Sequence, residues 1–188
     1  MARPKEFDSD VALDAAIEVF RAHGFAGTSA GMLTEGMKIG RQSLYDTFGD
    51  KWRLYVAAVG RYSMLEVQAH LEALRTGPTA WDGLRRLIDR VVEQAHRPCL
   101  GVSSICEFGQ EHDDLLKARE AAGRMLTSGM AAALSEAQAA RQVSPDITPE
   151  DGAAFLNSSI AGIRIAARGG AGPEQLHALG RLALRALG

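Results

Sequence analysis

Apolar residues recur along this chain at three- and four-residue spacing, and runs rich in Val, Ile and Thr with period two are missing, so the pattern predicts an all-helical fold. Asp8 or Ser9 caps a first helix in which Val11, Ala12, Ala15, Ala16, Val19 and Phe20 form an apolar stripe, and Gly24 just after His23 ends it. Thr28 caps a short second helix with Met32, Leu33 and Met37 inward, and Gly40 opens a third through Leu44 and Phe48. Three helices in about 40 residues, the last two joined by only a few residues, make a helix-turn-helix arrangement. Gly49 and Asp50 break the pattern, and a longer helix follows over about 51–74 with Trp52, Tyr55, Val59, Tyr62, Leu65 and Ala69 at mixed three- and four-residue spacing. The next carries Trp81, Leu84, Ile88, Val91 and Ala95. The stretch 99–110 reads as less regular, and 113–141 as another long helix with Leu115, Ala122, Met125, Met130, Ala133 and Ala137 buried. Thr148, Pro149, Glu150 and Asp151 form the sharpest helix start in the chain, since Thr caps, Pro suits the first turn and acids oppose the positive helix end. That helix stops at Gly169 and Gly170, and a last one covers about 173–187.

Composition narrows the class. With 188 residues, 46% hydrophobic and 23% charged, the chain can bury a real core and is neither disordered nor fibrous. No apolar run approaches the roughly 18 to 20 residues a membrane span requires, and Met1 to Glu6 lack a signal-peptide core, so the cytoplasm is the expected compartment and no membrane partner is expected. Cys99 and Cys106 cannot form a disulfide framework or a zinc knuckle. The five histidines (His23, His70, His96, His112, His177) are scattered, no nucleophile stands beside a base, and no phosphate-binding glycine loop or metal motif is present. Hence neither an enzyme nor a metal or organic cofactor is expected, although a helical enzyme stays the unfavoured alternative. The net charge of −2 gives no nucleic-acid footprint by itself. Residues 1–55 hold seven basic and eight acidic side chains, but five of those acids lie at or before Glu18.

The informative segment is 13–55. Ala15, Ala16, Phe20 and Gly24 in the first helix, Thr28 and Ser29 opening the second, and the run Leu44, Tyr45, Asp46, Thr47, Phe48, Gly49, Asp50, Lys51 resemble the DNA-binding domain of the TetR family of bacterial transcriptional regulators. Independently of that likeness, Arg41 and Gln42 are long donors in the first turn of the third helix, where Arg suits guanine O6/N7 and Gln suits adenine N6/N7. Thr28, Ser43, Tyr45 and Lys51 are suitable phosphate donors. The resemblance aligns Arg41 and Gln42 with base-reading positions and Thr28, Tyr45 and Lys51 with backbone-contacting ones, Ser43 fitting either role. Gly40 stands where the family usually has Ser, Lys38 where the turn usually has Gly, and Thr47 where a phosphate-contacting His or Tyr is frequent. Lys38 must therefore accept an unusual backbone conformation, or the turn differs. Arg3 and Lys5 are candidates for a minor-groove arm or for a solvated terminus.

The resemblance implies two domains, a three-helix DNA-binding domain at 1–52 and a helical effector-binding and dimerisation domain at 53–188, with about nine helices in all. It implies a ligand-responsive repressor that reads a palindromic operator in double-stranded DNA as a homodimer. A small-molecule effector would sit among apolar walls from Met64, Trp81, Met125 and Met130 with polar anchors from Glu107, Gln110 or His112. Phe155 with Ser158, Gly162 and Ala166 at four-residue spacing, joined by Leu179 and Leu182 of the last helix, forms the candidate dimer interface, the other reading being packing within one subunit. Cys99 or Cys106 near Arg97 leaves open a thiol-based, redox-responsive regulator of the same fold, against buried structural cysteine. A helical interaction protein without DNA binding is disfavoured by the donor set Arg41, Gln42, Tyr45 and Lys51.

Overall fold

A computed structural model describes residues 7–188, and the candidate arm residues Arg3 and Lys5 lie outside them. Among the described residues there are nine helices and no strands: α1 (Ser9–His23), α2 (Ala30–Met37), α3 (Arg41–Phe48), α4 (Lys51–Arg75), α5 (Ala80–Glu93), α6 (Leu100–Phe108), α7 (Asp113–Ala139), α8 (Pro149–Arg168) and α9 (Pro173–Arg185).

The starts are set by side-chain caps. Asp8, Asp50, Thr79 and Thr148 accept hydrogen bonds from the first-turn amides of α1, α4, α5 and α8, with Pro149 inside the first turn of α8. At α2 the cap is Ser29 and not Thr28 as the sequence pattern suggests, because Thr28 is buried and its Oγ1 donates to the Gly24 carbonyl at 2.6 Å. Within α1 the buried stripe is Ala12, Ala16, Ile17 and Phe20, whereas Val11, expected inside, is 65% exposed. Leu65 of α4 likewise faces solvent.

The stretch expected to be irregular is α6. Its Gly101, Val102, Ser103, Ser104 and Ile105 are weak helix formers, so local preference gives little signal there. Tertiary contact supplies the missing stability: Leu100 is fully buried, and Arg119 of α7 donates to Ser104 Oγ and to the Gly109 carbonyl.

Two cores result. One joins α1, α2 and α3 to the first half of α4 through Phe20, Leu33, Leu44, Leu54, Tyr55 and Tyr62, with Leu100 and Leu115 closing it. The other packs α5, α7, α8 and α9 around Leu87, Ile88, Met130, Leu134, Leu156 and Leu176, reaching α4 at Val67. Gly83 lets α5 approach the end of α4 so closely that a Cβ there would meet the Leu74 carbonyl oxygen at 2.0 Å. No helix among the described residues is long and apolar enough to cross a membrane.

Candidate DNA-binding surface and effector cavity

α3 is only eight residues long and is anchored by one fully buried side chain, Leu44. Gly40 takes the extended conformation of an N-cap (φ −68°, ψ 153°), and Lys38 ends α2 in the left-handed region (φ 55°, ψ 38°). The turn therefore keeps its geometry and Lys38 bears the strain, which decides between the two readings of this position. With Leu44 inward, Arg41, Gln42 and Tyr45 project together from the exposed face, and Ser43 and Thr47 flank them half-buried. The Arg41 guanidinium lies 5.8 Å from the Tyr45 ring centroid, and Gln42 Nε2 donates to Asp46 Oδ1 at 3.1 Å. Lys51, at the first turn of α4, rests its Nζ 4.3 Å from the centre of the Phe25 ring. These six positions lie on α3 and at the adjoining start of α4. Thr28 does not join them: its amide donates to the Phe25 carbonyl and its hydroxyl to that of Gly24, so neither group is left for a phosphate.

Behind this surface an aromatic cluster binds the first helices to the rest of the chain. Phe25 packs edge-on against Trp52 (5.4 Å), Tyr55 (5.1 Å) and Phe108 (5.5 Å), and Trp52 stacks near His112 (4.4 Å) while its Nε1 donates to Asp114 Oδ2 at 2.7 Å. Glu107, at the end of α6, accepts from the Phe25 amide (3.1 Å) and the Ala26 amide (2.9 Å) in the α1–α2 turn. α6 is thus fastened by its C-terminal end to the unit that carries α3.

The other side of α6 faces a cavity of about 980 Å³ between α4, α6, α7 and α8. Val67, Val102, Leu116, Leu126 and Ile160 supply apolar walls, and its polar end is built by Tyr62, Glu66, His70 and Arg164. Glu66 Oε1 accepts from Arg164 Nη2 (2.6 Å) and Arg90 Nη1 (3.0 Å), and Arg90 Nη1 also lies 3.0 Å from His70 Nδ1. Burial alone would raise the Glu66 pKa, but the hydrogen bond from Arg90 and the Arg164 charge hold it below the usual carboxylate value. Burial pushes His70 down to about 4, with the two guanidiniums opposing its charge and Glu66 favouring it. A neutral ring whose Nδ1 accepts from Arg90 and whose Nε2–H points at Glu66 (3.4 Å) satisfies every contact in this network. Burial likewise raises the Tyr62 hydroxyl, with Cys99 beside it.

Of the side chains expected to line a pocket, only Gln110 does so in this cavity. Met130 is fully buried in the second core, Met64 and Trp81 pack against that core, Met125 points to solvent, and Glu107 is engaged at the α1–α2 turn. The face of α4 that opens into the cavity is Tyr62, Ser63, Glu66, Val67 and His70, and Met64 points elsewhere on that helix. Arg164 between Ile163 and Ile165, and Glu66 between Leu65 and Val67, are the polar residues in apolar surroundings by which the sequence marks this site. On α8, Phe155, Ser158 and Gly162 lie on an exposed face together with Ile165, and Leu182 of α9 is 59% exposed. Ala166 and Leu179 are half-buried and pack inside the subunit against the second core.

Residues 12–58 match the family described as bacterial regulatory proteins, tetR family. The chain is similar to the HTH-type transcriptional regulator YezE of Bacillus subtilis (strain 168), 38% identical over 98 residues, a match that covers 52% of this chain and half the length of that relative. It is 27% identical over 189 residues to the HTH-type transcriptional repressor ComR of Escherichia coli (strain K12), covering 97% of this chain and 90% of that one. Among solved structures, a cysteine mutant of the TetR-family regulator CifR, complexed with 26-bp double-stranded operator DNA, superposes over 100% of both chains with a TM-score of 0.83 and 28% identity.

Proposed function

We propose that this chain, whose residues 12–58 match the tetR family of bacterial regulatory proteins, is an effector-responsive repressor of that family that binds a palindromic operator as a homodimer. The observation that carries the reading is the joint projection of Arg41, Gln42 and Tyr45 from a short helix locked by Leu44. Arg41 and Gln42 read base edges in the major groove, while Tyr45, Ser43, Thr47 and Lys51 hold the phosphate backbone. CifR bound to operator DNA and ComR, named a repressor, support the reading of this chain as an operator-binding repressor. The exposed face of Phe155, Ser158, Gly162, Ile165 and Leu182 pairs two copies, so that two α3 helices reach successive major grooves about one helical turn apart. A Cβ at Gly162 would meet nothing within 4 Å in the monomer, so this side of α8 is open to a second subunit.

The effector is a small molecule with an apolar body and a polar end, held in the 980 Å³ cavity against Glu66 and Arg164. Its binding prefers one position of α6, and Glu107 carries that preference to the α1–α2 turn, shifting the population of dimers whose α3 helices fit the operator. A gel shift and footprint on the DNA upstream of the chain's own gene, at stated salt, tests the core of the proposal. Protection of a palindromic site is expected; no preference for any site over bulk DNA at moderate salt rejects it.

A second reading is favoured by one observation: Cys99 is half-buried in the cavity wall next to the Tyr62 hydroxyl, and Cys106 is exposed on the same helix. An oxidised thiol would then take the place of the effector. Seven residues of helix separate the two sulfurs by about 10 Å along the axis, so they bridge only if α6 unwinds. Mass spectrometry after mild peroxide, with operator affinity measured in parallel, decides; unmodified thiols with unchanged affinity remove this reading.

A further inference from the structure

A second cavity of about 450 Å³ opens where the end of α1 and the α1–α2 turn meet the α5–α6 connection, the start of α6 and the end of α8. We propose that it is a binding site for a small multivalent oxyanion, the phosphate or diphosphate group of a metabolite. Its walls carry four guanidinium groups, Arg21, Arg97, Arg164 and Arg168, and the imidazoles of His23 and His96, against one carboxylate, Glu107. That carboxylate is already engaged, since both of its oxygens accept backbone amides of the α1–α2 turn.

The cations are arranged in two tiers. At the base, Arg164 is held with its side chain 4% exposed and donates Nη2 to Glu66, an acid that it shares with Arg90. One carboxylate between two guanidiniums leaves positive charge uncompensated next to the cavity, a costly state away from water that a bound anion relieves. Arg21 is fixed beside it, its Nε donating to the Pro98 carbonyl at 2.7 Å and its Nη1 to Glu18 at 2.7 Å. At the rim, Arg97 and Arg168 are exposed and have no acidic partner among the described residues. α6 adds its N-terminal end: its N-cap, Cys99, supplies no side-chain hydrogen bond, and Val102 of the first turn faces the cavity. Planar guanidinium forks match phosphate oxygens in pairs, and this density of positive charge favours an anion over a neutral ligand and repels a cation. The site shares Arg164 with the effector cavity, whereas Arg21, Arg97, Arg168, His23 and His96 line this cavity and not the other.

Titration of the full chain with inorganic pyrophosphate, against sodium chloride of matched ionic strength, tests the proposal. Saturable binding with a raised Tm is expected, with NMR shifts of the His23 and His96 imidazoles and none at His70, which faces the other cavity. The double substitution Arg97→Ala/Arg168→Ala, at exposed side chains outside the cores, is expected to weaken binding roughly tenfold or more. Arg85→Ala/Arg86→Ala removes the same charge from the exposed face of α5 and is expected to leave the affinity unchanged. No saturable binding at millimolar pyrophosphate, equal weakening in both double variants, or shifts confined to His70 would each overturn it.

Discussion

Single residues carry the clearest expectations. Lys38 pays for a left-handed backbone at the end of α2, so Lys38→Gly should raise unfolding stability by about 1 kcal/mol, measured in urea. On the DNA surface, Arg41→Ala should relax preference at one position of each half-site at a cost of about 1–3 kcal/mol, whereas Lys51→Ala should weaken binding to all sequences and flatten its salt dependence. Similar behaviour of the two variants in competition gel shifts would reject the division of roles. His70 gives a pH dependence. Its folded pKa, about 4, lies below the ordinary 6.5, so the unfolded chain takes up the proton first on acidification. The stability it contributes is intact above pH 6.5 and is lost as the pH falls toward 4, a change of roughly 3 kcal/mol. Urea titrations at fixed protein concentration should show this slope, and His70→Gln, which can still accept from Arg90, should lose most of it.

At the scale of elements, α6 is the piece that local preference undervalues and contacts define. Its residues favour no particular structure, yet Leu100 anchors one end, Arg119 braces the middle and Glu107 fastens the other end to the α1–α2 turn. Glu107→Ala should free the Phe25 and Ala26 amides, read as faster hydrogen exchange at those two positions, at a cost of about 1 kcal/mol. Unchanged exchange there would mean that the aromatic cluster of Phe25, Trp52 and Phe108 holds the junction without it. Helices with strong caps and regular apolar spacing, α1, α5 and α8 above all, were legible from the chain alone because each signal is local. α6 and the identity of the α2 cap were not, because they depend on who lies across the gap.

For the whole molecule the decisive quantity is the spacing of two α3 helices, which a monomer cannot set. Phe155→Glu on the exposed face of α8 should give a monomer in analytical ultracentrifugation and lower operator affinity by about a hundredfold, the gain that linking two half-site contacts provides. A variant that stays dimeric would move the interface elsewhere. The near-neutral charge of the first 55 residues fits such a division of labour: little non-specific attraction from one unit, and specificity from two.

The sequence by itself determined the all-helical fold, the three-helix unit with its family resemblance, and the donors Arg41, Gln42, Tyr45 and Lys51, since helix period, caps and a compact motif are all encoded within a turn or two of chain. Tertiary structure alone decided that Thr28 is buried, that Met64 packs against the second core, and that Glu66, His70, Arg90 and Arg164 meet. Those outcomes join residues up to 98 positions apart, and whether a polar side chain ends in water or against a guanidinium is settled by which helix faces it, a fact no local pattern contains.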